Sequence, residues 1–464
     1  MPSCIIVYRR NRPPDRGAAF QGGYARFRAG ISEICGRPAT RALGLDTYER
    51  IKYTERMKAD RRKFLSGVAG LAMPGPAAAA SMPDFTRLRA DFPWIEHQTF
   101  LNNAGWHPMP RQSVRAMHDY LEYKVNGPGE GREKRENGNQ HLARQRFAQL
   151  INAQPTEIAF VQSTLMGENL VRMGLGIPGG GGNVVTNDLH YEGAIYMYKS
   201  LEKQGLDLRI VKHREGRIRL RDIEEVVDNK TKLIALSLVS YINGYRPDVK
   251  AICDLAHAHG AYVYADVIQA AGGVPIDVRA LGLDFCACSG YKWLMGDRGL
   301  GFLFVREELQ GRVMKRLQYG DRQFTSFQYH MFPYDPPGPP PATWTEGPGA
   351  GRFYEVGNIA NVVAAGHAES IGYILKLGLD NIRAYNRPLT EKLWKEIPKL
   401  GYPTLTPPDN DTPIVSFIVE KPDALRAKLK KANVAPKVEW NQMRVSCSVY
   451  NNMGDVDRLL NALA

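Results

Sequence analysis

The chain predicts an α/β fold built on a mostly parallel sheet, with a smaller α+β domain behind it, and three observations carry that prediction. From Glu157 to Val305 short apolar runs alternate with amphipathic stretches, the pattern of strands exchanged with helices on both faces of one sheet. Runs such as Lys232-Leu-Ile-Ala-Leu-Ser237 and Phe285-Cys-Ala-Cys288 are apolar along their length, as strands buried on both faces are. Polar and titratable residues collect just past the strand ends, at Ser163/Thr164, His190/Tyr191, Asp266 and Ser289/Lys292. Open α/β sheets place their sites there.

The elements follow in order. Asp84 to Leu150 opens with an extended segment, Thr99-Phe-Leu-Asn-Asn-Ala-Gly105, and continues into amphipathic helices separated by the loop Gly127-Pro-Gly-Glu-Gly131. Strands are expected at 157–161, 183–186, 206–211, 232–237, 261–265, 284–288 and 300–305. Helices are expected at 164–174, 192–204, within 223–227 and at 249–259. The Pro-rich stretch Pro333 to Pro348 reads as a linker or active-site loop. Beyond it lie long helices over 361–377 and 379–399, strands over 413–419 and 443–446, and a last helix from Gly454. The expected domains are a segment lining the site over 81–125, a large domain over 126–345 and a small C-terminal domain over 346–464.

With 464 residues, 44% hydrophobic and 23% charged, the composition is that of a globular protein with more than one domain. The net charge of +13 invites a nucleic-acid reading. Residues 1–63, however, hold 15 Lys+Arg against 6 Asp+Glu, so the rest carries only +4 and no basic face of its own is signalled. The six cysteines show no paired CxxC spacing, which signals neither zinc nor a disulfide framework. Gly179–Gly182 precedes a strand instead of following one, and so is a turn and not a dinucleotide loop. His257 and His259, two apart at a helix end, cannot face one metal together.

Residues 60–80 read as an address. Arg61 and Arg62 precede Phe64-Leu65, a modest apolar stretch and the run Ala77–Ala80, the pattern of a twin-arginine export signal with cleavage before Ser81. The stretch is too short for a permanent membrane span. Met57 stands four residues before Arg61. The expectation is that translation starts there, that 57–80 is the signal, and that the aperiodic Arg/Gly/Pro-rich residues 1–56 are an upstream segment without a fold. The expected location is the periplasm or the exterior.

Lys292 and Asp266 carry the chemistry. Each closes an apolar run that reads as a buried strand, and lysine is almost never buried without a partner. A desolvated lysine loses its charge readily and becomes an amine nucleophile. The chemistry that needs both groups is that of pyridoxal 5'-phosphate (PLP): lysine holds the aldehyde as a Schiff base, and a carboxylate keeps the pyridine nitrogen protonated so that the ring withdraws electrons.

With those residues in place, the chain over roughly 92–464 resembles the class V aminotransferase family of fold type I PLP enzymes, and its wording (Gly290-Tyr-Lys-Trp-Leu294, Leu101-Asn-Asn-Ala-Gly105) is most similar to the isopenicillin-N-epimerase-like branch. The resemblance implies that Lys292 is the Schiff-base lysine and Asp266 the pyridinium partner. It assigns Gln269 to the cofactor's phenolic side and Ser289 to its phosphate. Thr164 and Leu165, at a helix start whose amides and dipole suit an anion, are implied phosphate contributors. Tyr191 is implied to stack on the ring with His190 as its neighbour, although a slip of one residue exchanges them. Arg444 is implied to grip a substrate carboxylate through two parallel hydrogen bonds. Asn103 lies in the segment lining the substrate entrance. Asn358 lies in a loop lent by a partner subunit, which implies a homodimer.

The chain departs from the family at three positions. Tyr291 stands where histidine often precedes the lysine, Asn358 where the borrowed loop has threonine, and Tyr241 where an asparagine faces the phenolic oxygen. The implied function is catalysis at the Cα of an amino acid or peptide-like amine, with transamination first. Epimerisation, C–S lysis and binding of PLP or a peptide without turnover remain alternatives. Desulfuration ranks low, because it needs a mobile nucleophilic cysteine over the cofactor. An exported enzyme implies a peptide-like or secreted substrate.

Overall fold

The computed structural model describes residues 83–127, 135–329 and 342–464, all within one compact unit, Ser81–Ala464. The twin-arginine segment and everything before it lie outside the described residues. The strands in chain order are β1 (Thr99–Phe100), β2 (Ile158–Val161), β3 (Asn183–Asn187), β4 (Asp207–Val211), β5 (Thr231–Ser237), β6 (Tyr262–Asp266), β7 (Phe285–Ser289), β8 (Gly301–Val305), β9 (Phe324–Tyr329), β10 (Ala342–Glu346), β11 (Ile414–Ile418), β12 (Val434–Ala435), β13 (Lys437–Glu439) and β14 (Gln442–Ser446).

The central sheet has seven strands in the order β2-β8-β7-β6-β5-β3-β4. It runs parallel from β7 to β4, while β8 is antiparallel to both neighbours. Parallel neighbours need a crossover of a dozen or more residues. The β7–β8 connection, which carries Lys292, is a short loop, so the chain turns back. β2, β3, β6, β7 and β8 are buried almost throughout, which is why their sequences are apolar without alternation.

The helices that position the site begin at strand ends. Helix Thr164–Gly174 starts where expected, because the Ser163 hydroxyl accepts from Met166 N at 3.2 Å. It lies close on β7, since a Cβ at Gly167 would stand 2.6 Å from the Ala287 methyl. Helix Val249–Ala258 is capped by Asp248, which accepts from Ala251 N at 3.0 Å. The short helix expected within 223–227 is found one turn earlier, at Leu220–Glu224, where Ile223 is its buried apolar residue.

Two further departures concern the second half. Part of the stretch read as a linker is strand β10, hydrogen-bonded antiparallel to β9 in a hairpin. A helix, Pro422–Lys431, and the short strands β12 and β13 were not anticipated. Helices Asn361–Leu377 and Leu379–Glu396 match their expected spans closely. The C-terminal part has its own three-stranded antiparallel sheet, β11-β14-β13, over a cluster that includes Leu393, Phe417, Met443, Val445 and Leu459. It is tied to the N-terminal segment, because β1 pairs with β12 and Asn102 bridges to Ser446. No helix among the described residues is long and apolar enough to cross a membrane.

Candidate active site

The carboxyl ends of β2, β3, β5, β6 and β7 converge on one cleft. At the β2 end, the first residue of helix Thr164–Gly174 is locked to the β7 end. Ser289 Oγ accepts from Thr164 N at 2.8 Å and lies 3.0 Å from Thr164 Oγ1, while Ser289 N donates to Thr164 Oγ1 at 2.9 Å. Two hydroxyls and a helix start are thereby held together, with Leu165 half-buried in the first turn. A helix start of this kind offers amides and a favourable dipole to a phosphate.

At the β6 end, Asp266 is buried, and its Oδ1 accepts from Ile268 N at 2.9 Å. Burial pushes its carboxyl up to about 6, against the pull of His190 and the Ile268 amide. Lys292 lies on the loop after β7. Burial, with Arg444 and Lys437 nearby, brings its ammonium down to about 8, and Asp266 opposes the shift. Its Nζ lies 5.7 Å from the centre of the Tyr291 ring.

The segments bearing these two residues are clamped. Gln269 Oε1 accepts from Trp293 Nε1 at 2.9 Å, and Gln269 Nε2 donates to Ala104 O at 2.9 Å. Gly272, at φ 97°, lies against the Trp293 carbonyl so closely that a Cβ would stand 2.2 Å from it. The Lys292 loop wraps a buried imidazole that sequence reading missed: a Cβ at Gly290 or Gly296 would come within about 2 Å of the His367 ring.

At the β3 end the two adjacent candidates separate. Tyr191 faces the cleft, 38% exposed, with its ring 5.8 Å from that of Tyr241 in an edge-on arrangement. His190 points into the protein and is fully buried. Its Nδ1 lies 2.9 Å from Ser237 Oγ and its Nε2 3.2 Å from Glu168 Oε1. Both ring nitrogens of His190, which was expected beside the cofactor, are thus engaged inside the protein. Glu168 was also missed. Its signal was a charge on the apolar face of an otherwise buried helix.

Arg444, on β14, is buried, with Nη1 donating to Tyr241 O at 2.8 Å and Nη2 to Asn102 Oδ1 at 3.3 Å. No carboxylate pairs with it among the described residues, its Nε is buried without a partner, and burial lowers it to about 10. It opens on a cavity of about 80 Å³ lined also by Glu192, Lys437, Glu439, Trp440 and Gln442. Asn103 is the residue expected on the substrate side. It is fully buried, donating to Ser446 O at 2.8 Å and accepting from Tyr450 OH at 2.6 Å, so the neighbouring Asn102 stands beside Arg444 instead. Asn358 is exposed, on a cavity of about 380 Å³ whose wall includes Gln162 and Met166 at the start of helix Thr164–Gly174.

Cys253, Cys286, Cys288 and Cys447 are all buried, and burial pushes each thiol up. No group of His, Cys, Asp and Glu among the described residues could hold a metal ion.

The sheet order, the switch of strand direction at β8 and the lysine–carboxylate pair define the α/β fold of type I PLP enzymes. The chain belongs to the class V aminotransferase family, whose model matches residues 99–459. It is 30% identical over 348 residues to a probable cysteine desulfurase of Methanothermobacter thermautotrophicus, covering 72% of this chain and 82% of that one. It is 28% identical over 413 residues to a cysteine desulfurase of Shigella sonnei, covering 81% and 97%. Among solved structures, the cysteine desulfurase of Thermococcus onnurineus superposes with a TM-score of 0.71 at 25% identity, covering 83% of this chain and 98% of that one. The cystine C–S lyase C-DES superposes at 0.70 and 22% identity, covering 80% and 98%, a likeness of fold alone. The cofactor of this class is PLP, and the residues at the cleft fit it: a lysine amine brought toward neutrality, a buried carboxyl across from it, and hydroxyls at a helix start for a phosphate.

Proposed function

We propose that the chain is a PLP-dependent enzyme acting at the Cα of an amino acid or peptide-like amine that bears a free carboxylate, with transamination as its reaction. Lys292 would hold the cofactor aldehyde, Asp266 its pyridine nitrogen, Thr164, Leu165 and Ser289 its phosphate, and Tyr191 its ring face. Gln269 would reach its phenolic side with the amide hydrogen not given to Ala104. Bound there, PLP supplies an electron sink that weakens the bonds at Cα. Arg444 takes the carboxylate and fixes which Cα bond stands over the ring. Lys292, once free, carries the proton from Cα, being the one base the site puts in reach.

The observation that carries this reading is the buried Arg444 guanidinium, without a carboxylate partner, close enough to Lys292 to help bring its ammonium down to about 8. The desulfurase relatives favour a second reading, C–S lysis. Transfer of sulfur to an enzyme cysteine is disfavoured, because every cysteine from residue 83 onward is buried. Elimination needs no such thiol and remains open. Cysteine as substrate separates the three. Transamination leaves a 2-oxo acid that retains its sulfur and needs a second oxo acid to turn over. Elimination gives pyruvate, ammonia and sulfide. Desulfuration gives alanine. Formation of alanine would overturn the reading. Inversion at Cα with no net product would make the enzyme an epimerase, and an unchanged cofactor band with every amino acid would leave only a binder.

Export and dimerisation belong to the same proposal. The paired arginines support export, and fractionation of a producing cell with N-terminal sequencing of the mature protein tests it. The exposure of Asn358 beside Gln162 supports a partner that uses it, and a solution mass of a single chain by light scattering would remove that support.

A further inference from the structure

The buried ionisable residues behind the cleft form a connected set that the proposed chemistry does not yet use. Glu168, 1% exposed, has His190 as its only ion-pair partner among the described residues. A buried carboxylate is tolerable only when paired and hydrogen-bonded. His190, 0% exposed, places Nε2 3.2 Å from Glu168 Oε1 and Nδ1 2.9 Å from the Ser237 hydroxyl, which accepts from a ring N–H or donates to a bare ring nitrogen. An imidazolium satisfies both at once. Ser237 and Asp266 are register partners at the ends of β5 and β6, so the imidazole is fixed beside the Asp266 carboxylate.

We propose that Glu168 and Ser237 hold His190 as an imidazolium behind Asp266, and that this fixed positive charge keeps Asp266 ionised toward the pyridine nitrogen. The inference rests on the reading of Asp266 as the pyridine partner. His190 and Glu168 are then positioning residues that touch neither substrate nor cofactor. Burial is the largest single influence and alone would discharge His190, but the attraction and hydrogen bond of Glu168 together with the attraction of Asp266 outweigh it, and the ring's pKa is raised. The same charge holds down an Asp266 carboxyl that burial drives up.

The other groups facing this cluster do not supply the charge. Tyr198 and Tyr264 are held neutral, with pKa values raised by burial and by Glu168. Cys286 and Cys288 on β7 are likewise raised by burial and by Asp266. Tyr191 and Tyr291 are raised by burial on the cleft side. Lys292 is the other cation acting on Asp266, and its amine is the group that would be committed to the cofactor aldehyde. His190 is what remains.

The test uses the Ser81–Ala464 protein with and without PLP, in wild-type, Glu168→Gln, Glu168→Asp and Asp266→Asn forms. In the apo-protein, nitrogen-15 NMR of the histidine side chains reads the ring directly. Both His190 nitrogens carry protons at neutral pH in wild type and Glu168→Asp, and one does in Glu168→Gln. In the loaded protein, the pH titration of the cofactor's visible band moves in Glu168→Gln by about one unit, a tenfold change in its protonation equilibrium, and Glu168→Asp restores it. A His190 ring with a single proton at neutral pH in wild type overturns the inference, whatever the variants do. A Glu168→Gln band that titrates like wild type while Asp266→Asn shifts overturns the inference but leaves the Asp266 reading standing. A band unmoved in Asp266→Asn sinks that reading and the inference with it.

Discussion

At the scale of single residues the site divides by what each group does with its charge. Lys292 is effective because burial and two neighbouring cations bring its amine down to about 8. The neutral amine attacks an aldehyde, so its fraction sets the rate of cofactor capture. Below about 8 that fraction falls tenfold per pH unit, and above it the rate levels off. Stopped-flow mixing of apo-protein with PLP checks this, and a capture rate flat from pH 6 to 8 would show that the ammonium is already discharged. Borohydride and peptide mapping then place the pyridoxyl group on Lys292, and Lys292→Ala yields none. Arg444 does the reverse and keeps its charge in a buried place, waiting for a carboxylate. Arg444→Lys retains the charge but loses the planar pair of donors. It is expected to raise KM about tenfold or more for carboxylate substrates, a loss of one charge-assisted hydrogen bond of about 1.5–3 kcal/mol, and to leave KM for the matching amino amide nearly unchanged. Lys292 and Asp266 stand out in the sequence because each is a charge closing an apolar run, and Arg444 stands out only through the resemblance of Met443-Arg-Val-Ser446 to a family motif. Asn102 and Asn103 were not separable, since adjacent residues in an extended segment face opposite ways and the sequence does not say which way is in.

At the scale of elements, the loop that carries Lys292 is built around His367. Gly290 and Gly296 both lie on that imidazole, whose Nε2 is 3.1 Å from Asp297 O. Gly290→Ala or Gly296→Ala forces the ring, the loop or helix Asn361–Leu377 to shift, at a cost of about 1–3 kcal/mol for overpacking. The shift reaches Lys292 and weakens cofactor retention. Gly138, on the exposed face of helix Arg135–Leu150 with nothing near a built Cβ, is the control: Gly138→Ala gains about 0.5–1 kcal/mol. Urea unfolding of the three variants checks both signs, and a neutral Gly290→Ala would mean that the loop is free of the ring. The central strands were legible because burial on both faces makes them continuously apolar. The β9–β10 hairpin was hidden, because its aromatic side chains face outward: Phe327 is 48% and Trp344 59% exposed, and the joining stretch is rich in proline. The helix Pro422–Lys431 was hidden for a related reason. Its buried face is only Leu425 and Leu429, too narrow a stripe among lysines to announce a helix.

At the scale of the whole molecule, the buried titratable groups make stability depend on pH, and their signs can be worked out. His107 and His367 are both fully buried, and burial lowers each to about 4 from 6.5. An unfolded chain therefore takes up these two protons first. Their contribution is complete above about 6.5 and is lost as pH falls toward 4. From pH 7 to 4.5 the loss is about 2.5 kcal/mol for each. Asp266 works the other way. Its carboxyl is raised to about 6 from 3.8, so the folded state holds that proton more tightly and regains about 2 kcal/mol over the same interval. His190, raised, contributes fully below 6.5 and so adds no further change on acidification. The net expectation for the apo-protein is a loss of roughly 3 kcal/mol between pH 7 and 4.5. The two histidines clamp opposite parts of the site. His107 reaches Ser448 on the segment after Arg444, at 2.7 Å, and His367 carries the Lys292 loop. Acid should therefore loosen the carboxylate end and the lysine end together, and cofactor release should track the loss of stability. Denaturant unfolding at a series of pH values gives the slope, and His367→Gln, neutral throughout, should remove most of it, because the Asp266 gain then nearly offsets the one remaining histidine. A stability that holds level from pH 7 to 4.5 would mean that these rings find water or protons without unfolding, and that the Lys292 loop opens as a local event instead of with the fold.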